Sequence, residues 1–280
     1  MSENWPPLDL HAHIDPSIEP SELIALRAVV FAATRSLEEF NQTRRRRDPI
    51  TVWGVGTHPG VAEALTEFTG EGLRAAIRST PLVSEVGMDV RSPVPRDRQR
   101  RVLDGILSVL ADEPRIVSIH SSGAVGWVLQ ALEDRPQAGA VLHWWRGGSA
   151  ETERAVKLGC FFSINAAELK RPAVIKRVPW DRLLPETDHP YGNRQRDAAP
   201  GRVDLVERAI ANELGVSASS VRKGMWGNLA TLVDLTGTAD LFSDRIKTML
   251  SAAPGPLSAT AGPSSPKPRS WRESSTGSTD

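Results

Sequence analysis

His11 and His13 stand two residues apart in the apolar segment Leu8–Ile14, and side chains at that spacing on an extended strand point to the same face. Two imidazoles on one face are the start of a divalent cation site. Glu85 sits in Val83-Ser84-Glu85-Val86-Gly87, where a carboxylate among apolar neighbours is costly unless a positive charge accompanies it. His120 closes the segment Arg115–Ser121, His143 lies late in Gly139–Trp145, and Asp188 lies late in Leu183–His189. Together these residues make a nitrogen and oxygen donor set suited to Zn²⁺, Mn²⁺ or related ions such as Mg²⁺. One ion would leave donors idle. Six donors suit two divalent ions about 3.5–4 Å apart, with one carboxylate bridging and positions left open for water and substrate. Any one of these residues alone reads as an ordinary structural or surface residue. The set carries the reading, because all 6 histidines fall at or just beyond the C-terminal end of an apolar, β-branched-rich segment.

Four further residues are candidates for substrate contact. His58, in Gly56-Thr57-His58-Pro59-Gly60, is placed to bind a phosphate oxygen or orient a leaving group, and the same residues read equally well as a plain turn. Strand alternation after an inward His143 sends Trp144 toward the helices and Trp145 inward or into the loop, where an indole can stack on a base. Arg146 and His189 fall at the expected mouth, facing either phosphates or solvent. The run Arg44-Arg45-Arg46-Arg47 follows a helix and reads as its solvated end, helped by the helix dipole. The cluster Arg96, Arg98, Arg100 and Arg101 follows the fourth apolar segment, so its start is the better candidate for backbone phosphates.

The elements that must position these groups follow from periodicity. Eight short apolar segments (Leu8–Ile14, Leu26–Thr34, Ile50–Thr57, Pro81–Met88, Arg115–Ser121, Gly139–Trp145, Gly159–Asn165 and Leu183–His189) alternate with helical patterns. Leu103, Ile106, Leu107 and Leu110, then Val125, Val128, Leu129 and Leu132, carry the i, i+3, i+4, i+7 spacing of such helices. This alternation predicts an α/β fold, a (β/α)8 TIM barrel of the metal-dependent hydrolase type, with an open doubly wound sheet as the competitor. In the barrel, all the donors converge at the C-terminal face, where barrel enzymes carry their active sites. Val203–Leu214 reads as the last barrel helix, another starts at Ser217–Lys223, and the barrel proper ends near Leu235. Leu241, Phe242, Ile246, Met249 and Leu250 predict a short amphipathic helix that packs on the barrel or meets a partner. The expected division is a single hydrolase domain over 1–250 and a Ser/Pro/Gly-rich disordered tail over 251–280.

Composition narrows the setting. With 34 Lys and Arg against 34 Asp and Glu, the chain has no global attraction to a polyanion, so any nucleic-acid contact must be local. The single cysteine, Cys160, permits no intramolecular disulfide and reads as a small buried side chain. The chain offers no run of eighteen apolar residues to span a bilayer, and its N-terminus lacks the pattern of an export signal, so a cytoplasmic location and no membrane partner are expected.

The motifs resemble the TatD family of metal-dependent deoxyribonucleases. Asp9-Leu10-His11-Ala12-His13-Ile14-Asp15 is similar to the family's D-x-H-x-H-x-D, Gly56-Thr57-His58-Pro59 to its G-x-H-P turn, and Ser84-Glu85-Val86-Gly87-Met88-Asp89 to G-E-I-G-L-D. Ile119-His120-Ser121 resembles I-H-x-R, Leu142-His143-Trp144 resembles H-x-F-S-G, and Glu186-Thr187-Asp188-His189-Pro190-Tyr191 resembles E-T-D-x-P-Y. Met225-Trp226-Gly227-Asn228 is similar to the family's W-x-N helix, so the likeness runs from about Leu8 to Leu235. The resemblance implies that His11 and His13 hold one cation, Glu85 bridges, His120 and His143 hold the second, and Asp188 joins the first and positions the attacking water. It implies exonuclease-type phosphodiester hydrolysis on DNA, single-stranded or at ends, with two Mg²⁺, Mn²⁺ or Zn²⁺ ions lowering the pKa of water. Departures fall on the walls: Ser121-Ser122-Gly123 replaces the arginine after I-H, Trp144-Trp145-Arg146-Gly147 replaces F-S-G, and His189 and Ala199-Pro200 replace the usual alanine and Asn-Pro. These forms look closest to TatD-like members of bacterial anti-phage systems of the Qat type, which implies protein partners in a defence complex. Two other functions fit the same donors: hydrolysis of an amide or ester, such as an aminoacyl-tRNA linkage or a modified base, and a non-catalytic barrel subunit of that complex.

Overall fold

The computed structural model describes residues 5–192 and 198–257. Eight parallel strands form the inner wall: β1 (Leu8–Ala12), β2 (Val29–Ala33), β3 (Thr51–Gly54), β4 (Leu82–Gly87), β5 (Ile116–His120), β6 (Ala140–Leu142), β7 (Phe161–Ile164) and β8 (Leu183–Pro185). Their ladders form two sheets, β1-β2-β3 and β4-β5-β6-β7-β8. Parallel bridges at Val55↔Val83 and Ala12↔His189 join the sheets at both seams, which closes the barrel and rules out the open sheet. Nearly every strand residue is buried, as expected of strands covered on both faces.

The helices are α1 (Pro20–Ala25), α2 (Leu37–Thr43), α3 (Ala62–Glu67), α4 (Gly70–Ile77), α5 (Arg96–Asp112), α6 (Val125–Asp134), α7 (Ser149–Lys157), α8 (Pro172–Arg177), α9 (Asp204–Leu214), α10 (Ala218–Thr236) and α11 (Asp244–Ser251). Each turns one apolar stripe inward; on α5 the buried stripe is Val102, Leu103, Ile106, Leu107, Val109 and Leu110. Gly215 and Gly237 end α9 and α10 in the left-handed conformation, at φ 65° and 64°, where a side chain would be strained.

The closing segments tie the far end of the barrel. Asn228 on α10 donates from Nδ2 to Trp180 O and Leu183 O, both at 2.7 Å, and so satisfies the carbonyls where the chain enters β8. The same side chain accepts from Leu257 N–H at 2.9 Å. Two boundary expectations change here. The packed structure extends past Leu235, since α11 buries Ile246 against the barrel and Phe242 contacts Phe31 at 6.1 Å between ring centroids. Disorder from 251 onward does not hold for 251–257, because Leu257 is buried against Gly224 and Asn228 supplies its backbone partner. The rest of the expected tail, 258–280, lies outside the described residues.

At the C-terminal mouth the ladders stop early and the backbone groups pair irregularly. Asp188 N–H donates to His11 O at 2.8 Å, His13 N–H to His189 O at 2.9 Å, and Thr57 N–H to Glu85 O at 2.9 Å. His13, His58, His143, Asp188 and His189 therefore stand just beyond strand ends, fixed by neighbouring strands instead of by their own.

Candidate metal centre

His11 is fully buried in β1 and shares a 2.8 Å hydrogen bond through Nδ1 with Ser118 Oγ on β5. With the Nδ1 proton committed to serine, the Nε2 lone pair faces the lumen. His13 brings its Nε2 to 3.4 Å from that atom. Glu85 Oε2 lies 3.7 Å from His11 Nε2 and 3.3 Å from His13 Nε2, and Asp188 Oδ1 lies 3.7 Å from both nitrogens. The 3.7 Å separations are too long for hydrogen bonds. They match the roughly 3.4 Å edge of a tetrahedron of ligands around an ion with bonds of about 2.0–2.1 Å.

The other oxygen of Glu85 serves a second group. Oε1 is 2.5 Å from His120 Nδ1 and 2.9 Å from His143 Nε2, and these nitrogens are 3.3 Å apart. Glu85 thus lies between two donor sets, with one oxygen turned to each. The donors fit divalent metal by chemistry and by spacing. His11 and His143 stack with centroids 4.1 Å apart, so the two sets share one packed floor. His58 also reaches the cluster, with Nε2 at 3.4 Å from Glu85 Oε2. Gly60 N–H donates to its Nδ1 at 2.9 Å, which leaves the proton of the neutral ring on Nε2. His58 therefore presents a hydrogen-bond donor to the site and not a lone pair.

Burial and mutual repulsion set the charges. Burial pushes the Asp188 carboxyl up to about 7; His143 opposes the rise, while Glu186 and Glu85 add to it. Burial and then the charge on His143 push His11 down to about 4. For His120, burial acts downward but is outweighed by Glu85 and by the hydrogen bond to Asp89, which hold it at about 9. His143 is likewise raised well above an ordinary histidine, against burial, by Glu85 and Glu186. For Glu85, burial acts upward but is outweighed by the facing histidines, which hold it well below the carboxylate range. Protons on His120 and His143 thus balance the buried carboxylates, at the positions where cations would do so.

Four residues outside the expected ligand set hold these donors still. Asp9, buried beneath β1, accepts from Thr187 N–H at 2.8 Å, Thr187 Oγ at 2.6 Å and Gly201 N–H at 2.8 Å, clamping the segment before Asp188 to the first strand. Asp89 Oδ2 is 3.0 Å from His120 Nε2, which turns Nδ1 toward Glu85. Glu186 accepts from Trp144 N–H at 2.9 Å, Asn165 Nδ2 at 3.1 Å and Ser163 Oγ at 2.5 Å, and lies 3.6 Å from His143 Nδ1. Ser118 is the fourth, through His11. Asp9, Asp89 and Glu186 stand inside the same sequence motifs as the donors, whereas Ser118 has no signal beyond lying two residues before His120.

Residues 8–234 match the family model for TatD-related DNases. The chain belongs to that family. Among TatD-like relatives, it is 25% identical over 173 residues to the uncharacterized metal-dependent hydrolase YabD of Bacillus subtilis, covering 56% of this chain and 67% of that one. It is 28% identical over 157 residues to the 3'-5' ssDNA/RNA exonuclease TatD of Edwardsiella piscicida, covering 51% of this chain and 60% of that one. Among solved structures, the TatD homologue YJJV of Escherichia coli superposes with a TM-score of 0.70 at 21% identity, over 80% of this chain and 96% of the other. A TatD-family hydrolase of Entamoeba histolytica gives 0.65 at 14% identity, over 82% and 99%. Those two likenesses show the fold.

On this TatD scaffold the walls carry the corrections. Trp145 is no stacking platform: it is fully buried, donates from Nε1 to Thr152 Oγ at 3.0 Å and packs on Phe162. The reason is Trp144, whose φ of 42° breaks strand alternation and reverses the two indoles. Trp144 lies toward the mouth, where its Nε1 donates to Glu168 at 2.8 Å. A Cβ at Gly147 would fall 2.1 Å from the Trp145 ring, so only glycine fits beside it. Arg146 is half exposed at the mouth and paired with the same Glu168 at 3.2 Å. His189 lies next to Asp188 with a buried Nδ1 that has no hydrogen-bond partner among the described residues. Where the family motif has arginine after I-H, Ser122 accepts from Arg91 Nη2 at 3.0 Å, so a guanidinium from the neighbouring loop lies at that position.

The two arginine clusters separate by location. Arg46 is structural: it pairs with Asp48 at 2.6 Å, donates to Pro16 O and Ile18 O, and lies over Trp53. Arg100 is tied to Asp104 and Asp134 on the helix flank. Arg96, the first residue of α5, stands at the mouth.

Proposed function

We infer that this TatD-family protein is a metal-dependent phosphodiesterase that removes nucleotides from single-stranded DNA ends. The observation that carries the reading is Glu85, with one oxygen turned to His11, His13 and Asp188 and the other to His120 and His143. His11, His13, Glu85 and Asp188 would hold one divalent cation, Mg²⁺, Mn²⁺ or Zn²⁺, and Glu85, His120 and His143 a second. Such ions supply polarisation of a phosphoryl oxygen and a lowered pKa for water.

The chain's own groups do the rest. Asp188, beside His11 and His13 at the mouth, is the base that accepts the proton of the attacking water. His58, kept neutral by burial, directs its Nε2–H at a phosphate oxygen or the leaving oxygen. Asp9 and Asp89 keep Asp188 and His120 in place while charge moves. A recess of about 520 Å³ beside His13 and Tyr191 is lined by Asp15, Glu38 and Glu39 against a single Arg35, which disfavours a polyanion continuing through it. That asymmetry favours cleavage at a strand end. The I-H-S-S and L-H-W-W forms support a role in anti-phage defence and the lone cysteine a cytoplasmic one; such a role predicts that a His120→Ala, His143→Ala double variant loses protection in a phage plating assay.

The direct test incubates purified protein with end-labelled single-stranded DNA and Mg²⁺, Mn²⁺ or Zn²⁺. A ladder of shortened products that Asp188→Asn abolishes is expected. Absence of cleavage with every metal sinks the reading, and ester or amide turnover under those conditions would replace it with carbonyl hydrolysis on the same donors.

A further inference from the structure

Outward from His120 the mouth continues onto a flank that the donor cluster does not use. The loops after β4 and β5 are joined there: Val90 N–H donates to Ser122 O at 3.0 Å, and Arg91 Nη2 donates to Ser122 Oγ at 3.0 Å. They are fixed closely, since a Cβ at Gly123, at φ 64°, would meet Val90 at 2.4 Å. Asp89 is engaged by His120, and Arg91 extends from it into solvent with its Nε 3.6 Å away. Behind these loops α5 and α6 begin. Arg96 lays its guanidinium over the ring of Trp127, 4.7 Å from the centroid. Trp127 nevertheless remains 41% exposed and Val90 43%. The indole therefore keeps part of its ring open to solvent beside Arg96.

Charge is distributed to match. The β1–β2 side of the mouth carries the acidic recess of Asp15, Glu38 and Glu39 with Arg35, and the β4–β5 side carries Arg91 and Arg96 beside Asp97 and an Asp89 that His120 engages. A polyanion approaching the barrel is repelled from the first side and drawn to the second, although the whole chain is neutral.

We propose that Arg91, Arg96 and Trp127 form a shelf for the body of a single-stranded polynucleotide whose terminal phosphodiester lies in the metal centre. The guanidinium groups take backbone phosphates, and the exposed part of the indole takes a base. Stacking and phosphate pairing carry no sequence code, so the shelf binds strand and not sequence. The proposal rests on the phosphodiesterase reading and extends it from the reacting phosphate to the nucleotides beyond.

The test separates the two. Full-length protein in EDTA is titrated against fluorescein-labelled dT10 by anisotropy at several salt concentrations, and turnover of the unlabelled dinucleotide dT2 is measured with Mn²⁺. Trp127→Ala should weaken dT10 binding roughly tenfold. Arg91→Ala with Arg96→Ala should flatten the plot of log affinity against log salt by about 0.7 for each phosphate that is no longer neutralised. Both variants should keep wild-type circular dichroism, and Trp127→Ala, which lies off the donor cluster and its supports, should keep wild-type dT2 turnover. If both bind dT10 with wild-type affinity and salt slope while dT2 is cleaved, the shelf is overturned and the phosphodiesterase stands; the flank would then serve a protein partner. Failure of the wild type to bind dT10 also overturns the shelf. Shelf-dependent binding of dT10 without turnover of either oligonucleotide would support the shelf and overturn the phosphodiesterase reading.

Discussion

His11 and His120 each have one ring nitrogen turned to the lumen because something else holds the other. Asp89 does this for His120, and its carboxyl sits at about 2 although burial opposes that, because His120 and Arg91 favour the charged form. Asp89→Asn should therefore leave the fold intact and weaken divalent metal binding about 10- to 100-fold, read by calorimetric titration. Unchanged affinity would show that packing alone orients His120. Protons compete for the same nitrogens. His120 titrates at about 9 in the metal-free protein, so at neutral pH it carries a proton that must leave before Nδ1 can coordinate. Metal binding should release protons, and affinity should fall as pH drops from 9 toward 6. Calorimetry in buffers of different ionisation enthalpy checks the sign. The cluster of donors was legible in sequence because their types and strand-end positions recur. Asp9 was not: it acts on Thr187, 178 positions away, and only barrel closure brings them together.

Periodicity located all eight strands but extended most of them by one to three residues, since the apolar pattern continues past the point where the ladder stops. Those extra residues include His13, His143 and Asp188, whereas His11, Glu85 and His120 lie within the ladders. At the end of β6 the failure was specific: alternation sent Trp145 inward or into the loop and Trp144 toward the helices, whereas the left-handed turn at Trp144 reversed the pair. No residue type marks that turn, because a tryptophan at positive φ is held there by Glu186 accepting its N–H. The two indoles should then respond differently to truncation. Trp145→Ala empties a fully buried site and should cost about 3–5 kcal/mol in urea denaturation. Trp144→Ala should cost far less stability, because its ring is only half-buried at the mouth. Equal losses would contradict the placement of either ring.

The barrel couples its two ends through strands that are almost wholly buried, so the metal centre at one mouth and the α10–Leu257 closure at the other belong to one core. Overall neutrality concealed a polarised mouth, which emerges only when residues from distant segments are brought to one face. Buried carboxylates concentrated there repel one another and are balanced by protons until cations replace them, so the folded chain should bind divalent metal far more tightly than the unfolded chain. Linkage then makes metal a stabiliser: one ion at a hundred times its dissociation constant adds about 2.7 kcal/mol. For a domain of this size each kcal/mol moves Tm by about 2–4 °C, so the midpoint should rise by roughly 5–10 °C per ion. The His120→Ala, His143→Ala variant should retain only the part of that rise due to the His11, His13, Glu85 and Asp188 set. A melting curve indifferent to Mg²⁺, Mn²⁺ and Zn²⁺ at concentrations that support turnover would sever the donor cluster from the folded state, because a site built from five strands cannot bind cations without stabilising the barrel that assembles it.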